Sequence, residues 1–172
     1  MLQLSKILWA ICKLKAGPQD LHVRIYLLVS VILAGIIVDS FATSILIPNL
    51  PVFDVTKIII IYNFVLLTVV YLLLKLIGYK ERGVQTLTAI AGSGLFISLV
   101  LLPGLLMMNS AEEQLKSFVF LIMIDNIWRI VVNAHIFRHA LSIGLLMAMI
   151  LSVSYLLFGV LIADYLLPAQ NP

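Results

Sequence analysis

Long apolar runs, each cut off by a few polar or helix-breaking residues, make up most of this chain. Five of them, residues 21–47, 57–77, 87–108, 118–136 and 141–167, read as membrane-spanning helices, since about 20 apolar residues suffice to cross a bilayer. The breaks between them are Pro48-Asn49-Leu50-Pro51, the hydrophilic stretches 78–86 and 109–116, and a tight connection over 135–140. Ahead of the first run, residues 2–15 place Leu4, Ile7, Leu8, Ile11 and Leu14 at helical spacing, with Lys6 and Lys13 off that stripe and Trp9 suited to headgroups. This pattern predicts a short basic amphipathic helix, lying on an anionic leaflet or packed on the cytoplasmic ends of the bundle. Gly17 fits a left-handed stop, Pro18 cannot continue the old ladder, and Asp20 is placed to cap the next helix. The apolar stretch between Lys6 and Lys13 is too short for a cleaved signal.

The fourth run differs from the rest. It carries Asp125, Asn126, Arg129 and Asn133 within otherwise apolar sequence. An Asp or Arg at mid-membrane costs about 2.5–3.5 kcal/mol, and each large aliphatic returns only about 0.3–0.6. About a dozen apolar residues therefore do no more than offset the two charges, so this helix belongs inside a bundle. Asp125 and Arg129 are one helical turn apart and can pair. Asp39, in the first run, lies about eight residues from that run's outer end, as does Asp125 in its own; both sit about 12 Å deep. One guanidinium can bridge two carboxylates. Asp39, Asp125, Asn126, Arg129 and Asn133 thus form the candidate intramembrane polar cluster, either a clasp between two spans or a site for a substrate, partner or proton.

Charge placement orients the chain. Lys6, Lys13, Lys15, Arg24, Lys75, Lys80, Arg82 and Arg138 fall on one side of a five-span arrangement; Lys57 and Lys116 fall on the other, beside Asp54, Glu112, Glu113 and Asp164. The positive-inside rule then sets the N-terminus in the cytoplasm and the C-terminus outside. Four spans would move Arg138 outward, so five is the better count. The net formal charge is only +3 and no basic run is long enough for nucleic acid. The single cysteine, Cys12, rules out an internal disulfide and reads as an inert interfacial thiol. His135 and His139 share one helix face, but two ligands without a third do not define a metal site. No cofactor-binding motif is present.

Small residues recur at helical spacing: Gly35, Asp39 and Thr43; Ala89 and Ser93; Gly94 and Ser98; Gly144, Ala148 and Ser152. Such stripes permit close helix approach. Ala91-Gly92-Ser93-Gly94 is similar to the Gly-x-Ser-Gly nucleophile site of rhomboid intramembrane proteases, but the first glycine is missing. The only later histidines lie at the cytoplasmic turn, so packing is the better reading.

Two further resemblances bear on class. Lys15-Ala16-Gly17-Pro18-Gln19-Asp20-Leu21 resembles the opening of a group of small proteobacterial inner-membrane proteins, which implies that membrane and carries over no function. The length, five spans, cytoplasmic N-terminus and exported C-terminus resemble the Yip1 domain, with Gly78-Tyr79 as a local echo. That family's eukaryotic members act in vesicle trafficking through small GTPases. Its Asp-Leu-Tyr-Gly-Pro type motif is reduced here to Asp20-Leu21, so no functional residue carries over.

The expectation is an all-α, Yip1-like membrane protein of a bacterial inner membrane, a single domain over residues 1–172 with five transmembrane helices and an amphipathic N-terminal helix. The first functional expectation is non-enzymatic: a scaffold, assembly factor or accessory subunit that binds lipids, other membrane proteins or copies of itself. The second is a small carrier or channel using the Asp/Arg cluster.

Overall fold

Helix-breaking residues and caps decide where the apolar runs become helices. A computed structural model describes residues 2–22, 24–47, 49–107 and 111–166, with side chains from 4 onward in the first stretch and from 119 onward in the last. It contains α1 (Leu2–Cys12), α2 (Ile25–Leu46), α3 (Val52–Ile77), α4 (Gly83–Leu106), α5 (Ala111–Leu141) and α6 (Leu145–Leu166), and no strand among the described residues. Five of the helices, α2 to α6, are long and apolar enough to cross a membrane, and α5 is the least apolar of them. The helices run alternately up and down. One end of the bundle gathers the start of α2, α4 and α6 with the end of α3 and α5; this is the end that carries Arg24, Lys75, Lys80, Arg82 and Arg138.

Several boundaries differ from the sequence reading. α1 stops at Cys12, short of 15, and the left-handed residue is Leu14 (φ 60), not Gly17, whose φ and ψ of −112 and 172 are extended. The amide of Lys15 reaches back to the carbonyl of Ala10 at 2.8 Å, the six-to-one bond of a Schellman ending, so the stop is made one turn early. Asp20 does not cap α2. Its Oδ2 accepts from the amide of Gly17 at 2.8 Å and closes the short turn Pro18–Asp20. α3 starts earlier than residue 57, at Val52 after Pro51, and ends at Gly78, whose φ of 94 suits glycine. α4 runs through Pro103 to Leu106.

The largest departure is α5. The expected loop at 109–116 is helical from Ala111, and the expected turn at 135–140 is helical to Leu141. Ala, Glu, Gln, Leu and Lys at its start are strong helix formers, and acidic residues there suit the helix dipole. The side chains of Glu112, Glu113 and Lys116 lie outside the described residues. At the other end, Arg82 Nη1 donates to the carbonyls of His139 (3.3 Å) and Ala140 (3.0 Å) and to Ser142 Oγ (3.0 Å). A cation there satisfies carbonyls that the helix leaves unpaired. The chain then turns over Ser142 (φ 56) into α6.

α4 is the central post because its residues are small. Thr86, Thr88, Ala89, Gly92 and Ser93 are buried, and α4 contacts α1, α2, α3 and α5. In lipid, close approach and van der Waals packing hold helices together, since leaving hydrocarbon gains little. The outward faces are correspondingly oily: Ile37 is 70 %, Phe64 71 % and Leu146 75 % exposed, as lipid-facing residues are. α1 lies against α4 and α5 with its apolar stripe turned inward, Leu8, Ile11 and Cys12 being buried. Leu8 fills the space beside Gly92, where a β-carbon would come within 2.5 Å of it. Trp9 packs against Phe96 and Trp128, and Trp128 Nε1 donates to the carbonyl of Cys12 at 3.1 Å. Most of that stripe is thus packed against protein while Leu14 stays exposed, and Lys6 and Lys13 lie on the exposed side.

Burial pushes the Cys12 thiol up to about 11. Near pH 8 its thiolate fraction is then about a hundredfold below that of a free cysteine. Maleimide should react correspondingly slowly with native protein and fast after denaturation. Gly92→Leu, which displaces Leu8 and with it α1, should raise the native rate toward the denatured one; an unchanged rate would mean that α1 does not shield the thiol. Arg82→Ala should lower the unfolding midpoint by a few degrees, a loss of about 1 kcal/mol for partly exposed bonds, and Arg82→Lys should restore part of it because an ammonium also carries N–H donors for these acceptors.

Candidate functional site

The i,i+4 spacing on α5 pairs Asp125 with Arg129. Arg129 Nε donates to both Asp125 carboxylate oxygens, each at 2.9 Å. The pair turns toward α4, where Gly94 and Ser98 stand one turn apart and make room for the guanidinium. A β-carbon on Gly94 would lie 3.2 Å from Arg129 Nη1. Arg129 Nη2 donates to Ser98 Oγ at 2.9 Å, and Ser98 Oγ donates to Asp39 Oδ1 at 2.8 Å. Asp39, Ser98, Arg129 and Asp125 therefore form one continuous hydrogen-bonded chain across α2, α4 and α5.

The direct Arg129 bridge to both carboxylates is not what forms. Arg129 takes Asp125 for itself and reaches Asp39 through a hydroxyl. Ser98 is the residue that the sequence reading missed as part of the site, where it appeared only as the small partner of Gly94. A hydroxyl in place of a third carbon side chain at that spacing was the available signal: beside two buried charges it can donate and accept at once.

The chain of four forms the floor of a cavity of about 400 Å³ to which all five spans contribute. The cavity extends toward the helix ends away from the basic end, as far as Ile47, Leu105 and Ala163. Its walls are mainly aliphatic. Tyr62 reaches in from α3 because α6 offers Gly159, where a β-carbon would stand 2.8 Å from the phenol oxygen. The Arg129 and Asp125 side chains keep 29 % and 28 % of their surface accessible, so this pair faces the cavity and is not sealed in packed side chains. Asn63 and Asn126 also line it, each with Nδ2 donating to the carbonyl four residues back, at 3.0 and 2.9 Å.

Of the five residues expected in the cluster, the structure thus brings Asp39, Asp125 and Arg129 together and puts Asn126 on the same cavity. Asn133 is separate. It is 9 % exposed, one turn further along α5, and is not among the lining residues. Ser93 is buried and donates to the Ile90 carbonyl of its own helix at 3.1 Å, and its carbonyl faces Cys12 Sγ. His135 Nε2 is 2.9 Å from the Ala16 carbonyl, which ties the Gly17 turn to α5, and its ring meets that of His139 edge-on.

No protein-family model, curated protein or solved structure matches this chain.

Removing one partner of an ion pair inside a membrane bundle is costly, because the other charge is left without its counter-charge. Asp125→Asn should therefore lower the amount of folded protein in the membrane several-fold, and adding Arg129→Gln should restore part of it. Asp39→Asn should be milder, since Arg129 keeps its direct counter-charge. Equal losses in the two single variants, read by gel filtration of tagged protein, would contradict this order of dependence.

Proposed function

We propose that this chain is a non-enzymatic multi-pass protein of a bacterial inner membrane, with a cytoplasmic N-terminus and a periplasmic C-terminus, and that it works as a small carrier holding a ligand between its spans. The observation that carries this reading is the cavity of about 400 Å³ ending on the Asp39–Ser98–Arg129–Asp125 chain. A clasp that only joined helices would be best served by close packing, since polar networks hold best when enclosed and fully satisfied. Here the charged pair borders open volume, and ionisable groups inside a membrane generally mark a path for a substrate or ion. The volume falls within the range of about 300–1,000 Å³ usual for small-ligand sites. The inner-membrane placement is supported by the opening Lys15–Leu21 resemblance and by the one-sided basic charge. The Yip1 likeness supports the five-span architecture and adds no residue to the site.

The scaffold or accessory-subunit reading has an observation of its own. A β-carbon on Gly35 would meet nothing within 4 Å, so the small-residue face of α2 is not filled at that point by this chain. A helix of another membrane protein, or of a second copy, suits such a face.

Native mass spectrometry of protein released gently from its own membrane separates the two. The carrier reading expects a monomer or homo-oligomer with a small-molecule adduct that Ala42→Trp, which fills the cavity wall, removes. A stoichiometric protein partner with no such adduct would establish the scaffold reading instead.

A further inference from the structure

Resting on that reading of the cavity, we infer that its ligand is an organic monocation, an ammonium group carrying a short apolar tail. Three observations converge on this chemistry. First, the formal charges do not balance: two carboxyl groups, Asp39 and Asp125, line the cavity against the one guanidinium of Arg129, so a bound cation would hold Asp39 ionised and complete the pairing. Second, the positive group is already engaged. Arg129 spends Nε on Asp125 and Nη2 on Ser98, and Ser98 spends its proton on Asp39 Oδ1. Asp39 thus receives a single neutral donor while Asp125 holds the guanidinium. An ammonium supplies both the missing charge and the missing N–H donors.

Third, the remaining polar lining offers acceptors. Asn63 and Asn126 each direct an amide N–H into their own helix, which leaves the Oδ1 end of each side chain as a hydrogen-bond acceptor. Tyr62 adds an aromatic side chain to the lining, a residue type that attracts cations. An anion would meet two carboxylates and could bind only the Arg129 N–H groups not already given to Asp125 and Ser98. The aliphatic walls, among them Ile59, Leu101 and Leu156, ask for hydrocarbon on the same molecule. The cavity volume lies at the lower end of the usual ligand range, which suits a single short chain.

The test compares three amphiphiles of one chain length on the full-length protein in uncharged maltoside micelles near pH 7: octylammonium chloride, sodium octanoate and octanol. Unfolding is followed by the fluorescence of Trp9 and Trp128. Octylammonium should raise the midpoint by several degrees more than octanol, and octanoate should not. In Asp39→Asn, the apparent affinity for octylammonium should fall by at least about tenfold, roughly 1.4 kcal/mol. The charge comparison needs only the wild-type protein and stands even if that variant does not fold. Protection by octanoate above octylammonium would overturn the cation inference and leave the ligand site intact. Equal protection by all three would also overturn it. No protection by any of them would overturn the inference and the carrier reading together. An unchanged affinity in folded Asp39→Asn would remove Asp39 from the site.

Discussion

An Asp and an Arg one turn apart on a membrane helix impose a condition on everything around them. The pair on α5 cannot be turned to lipid at acceptable cost, so α5 must be surrounded, and its neighbours are shaped to do this. α4 supplies Gly94, which leaves room for the guanidinium, and Ser98, which takes its Nη2 proton. α2 supplies Asp39 to receive the Ser98 proton. α6 supplies Gly159, which lets Tyr62 of α3 approach. Each of the other four spans therefore has a residue whose size or polarity follows from the charges on α5.

The same condition explains why the two ends of the bundle differ. Toward the basic end, small residues of α4 are closed over by α1, with Leu8 against Gly92 and Trp9 between Phe96 and Trp128. Arg82 finishes α5 and ties it to the start of α6. Toward the other end the helices leave the cavity, with the charged chain as its floor. The cavity that holds the charged chain thus lies toward the end opposite the basic residues, the side from which the proposed ligand would enter.

Much of this architecture was legible in the sequence because single-helix properties carry it. Apolar length marks the five spanning helices, and the i,i+4 rule pairs Asp125 with Arg129 without any tertiary knowledge. What was not legible depends on contacts between helices. Ser98 reads as a small residue until Arg129 and Asp39 stand on either side of it. Asn133 shares the polarity and the helix face of the cluster but lies one turn further along α5, beyond the cavity. The ends of α5 extend past the expected span because the polar sequence at both ends is helical. Residues 111–116 are strong helix formers, and the histidine-rich end is held by Arg82, which lies 57 residues before His139. Gly17 and Asp20 carry the usual stop and cap chemistry, yet the chain stops at Leu14 and uses Asp20 to close its own turn.

The central claim is that the charged chain lies at the bottom of a cavity reached from the side opposite the basic end. The most direct measurement places a single cysteine at Thr43, on the cavity wall, in a Cys12→Ala background. Intact cells and inverted membrane vesicles are then treated with a small, positively charged, membrane-impermeant methanethiosulfonate reagent. The account predicts rapid labelling in cells, none in inverted vesicles, and slower reaction with the negatively charged reagent of the same size. Labelling confined to the inverted vesicles, or absent from both sides, would contradict it.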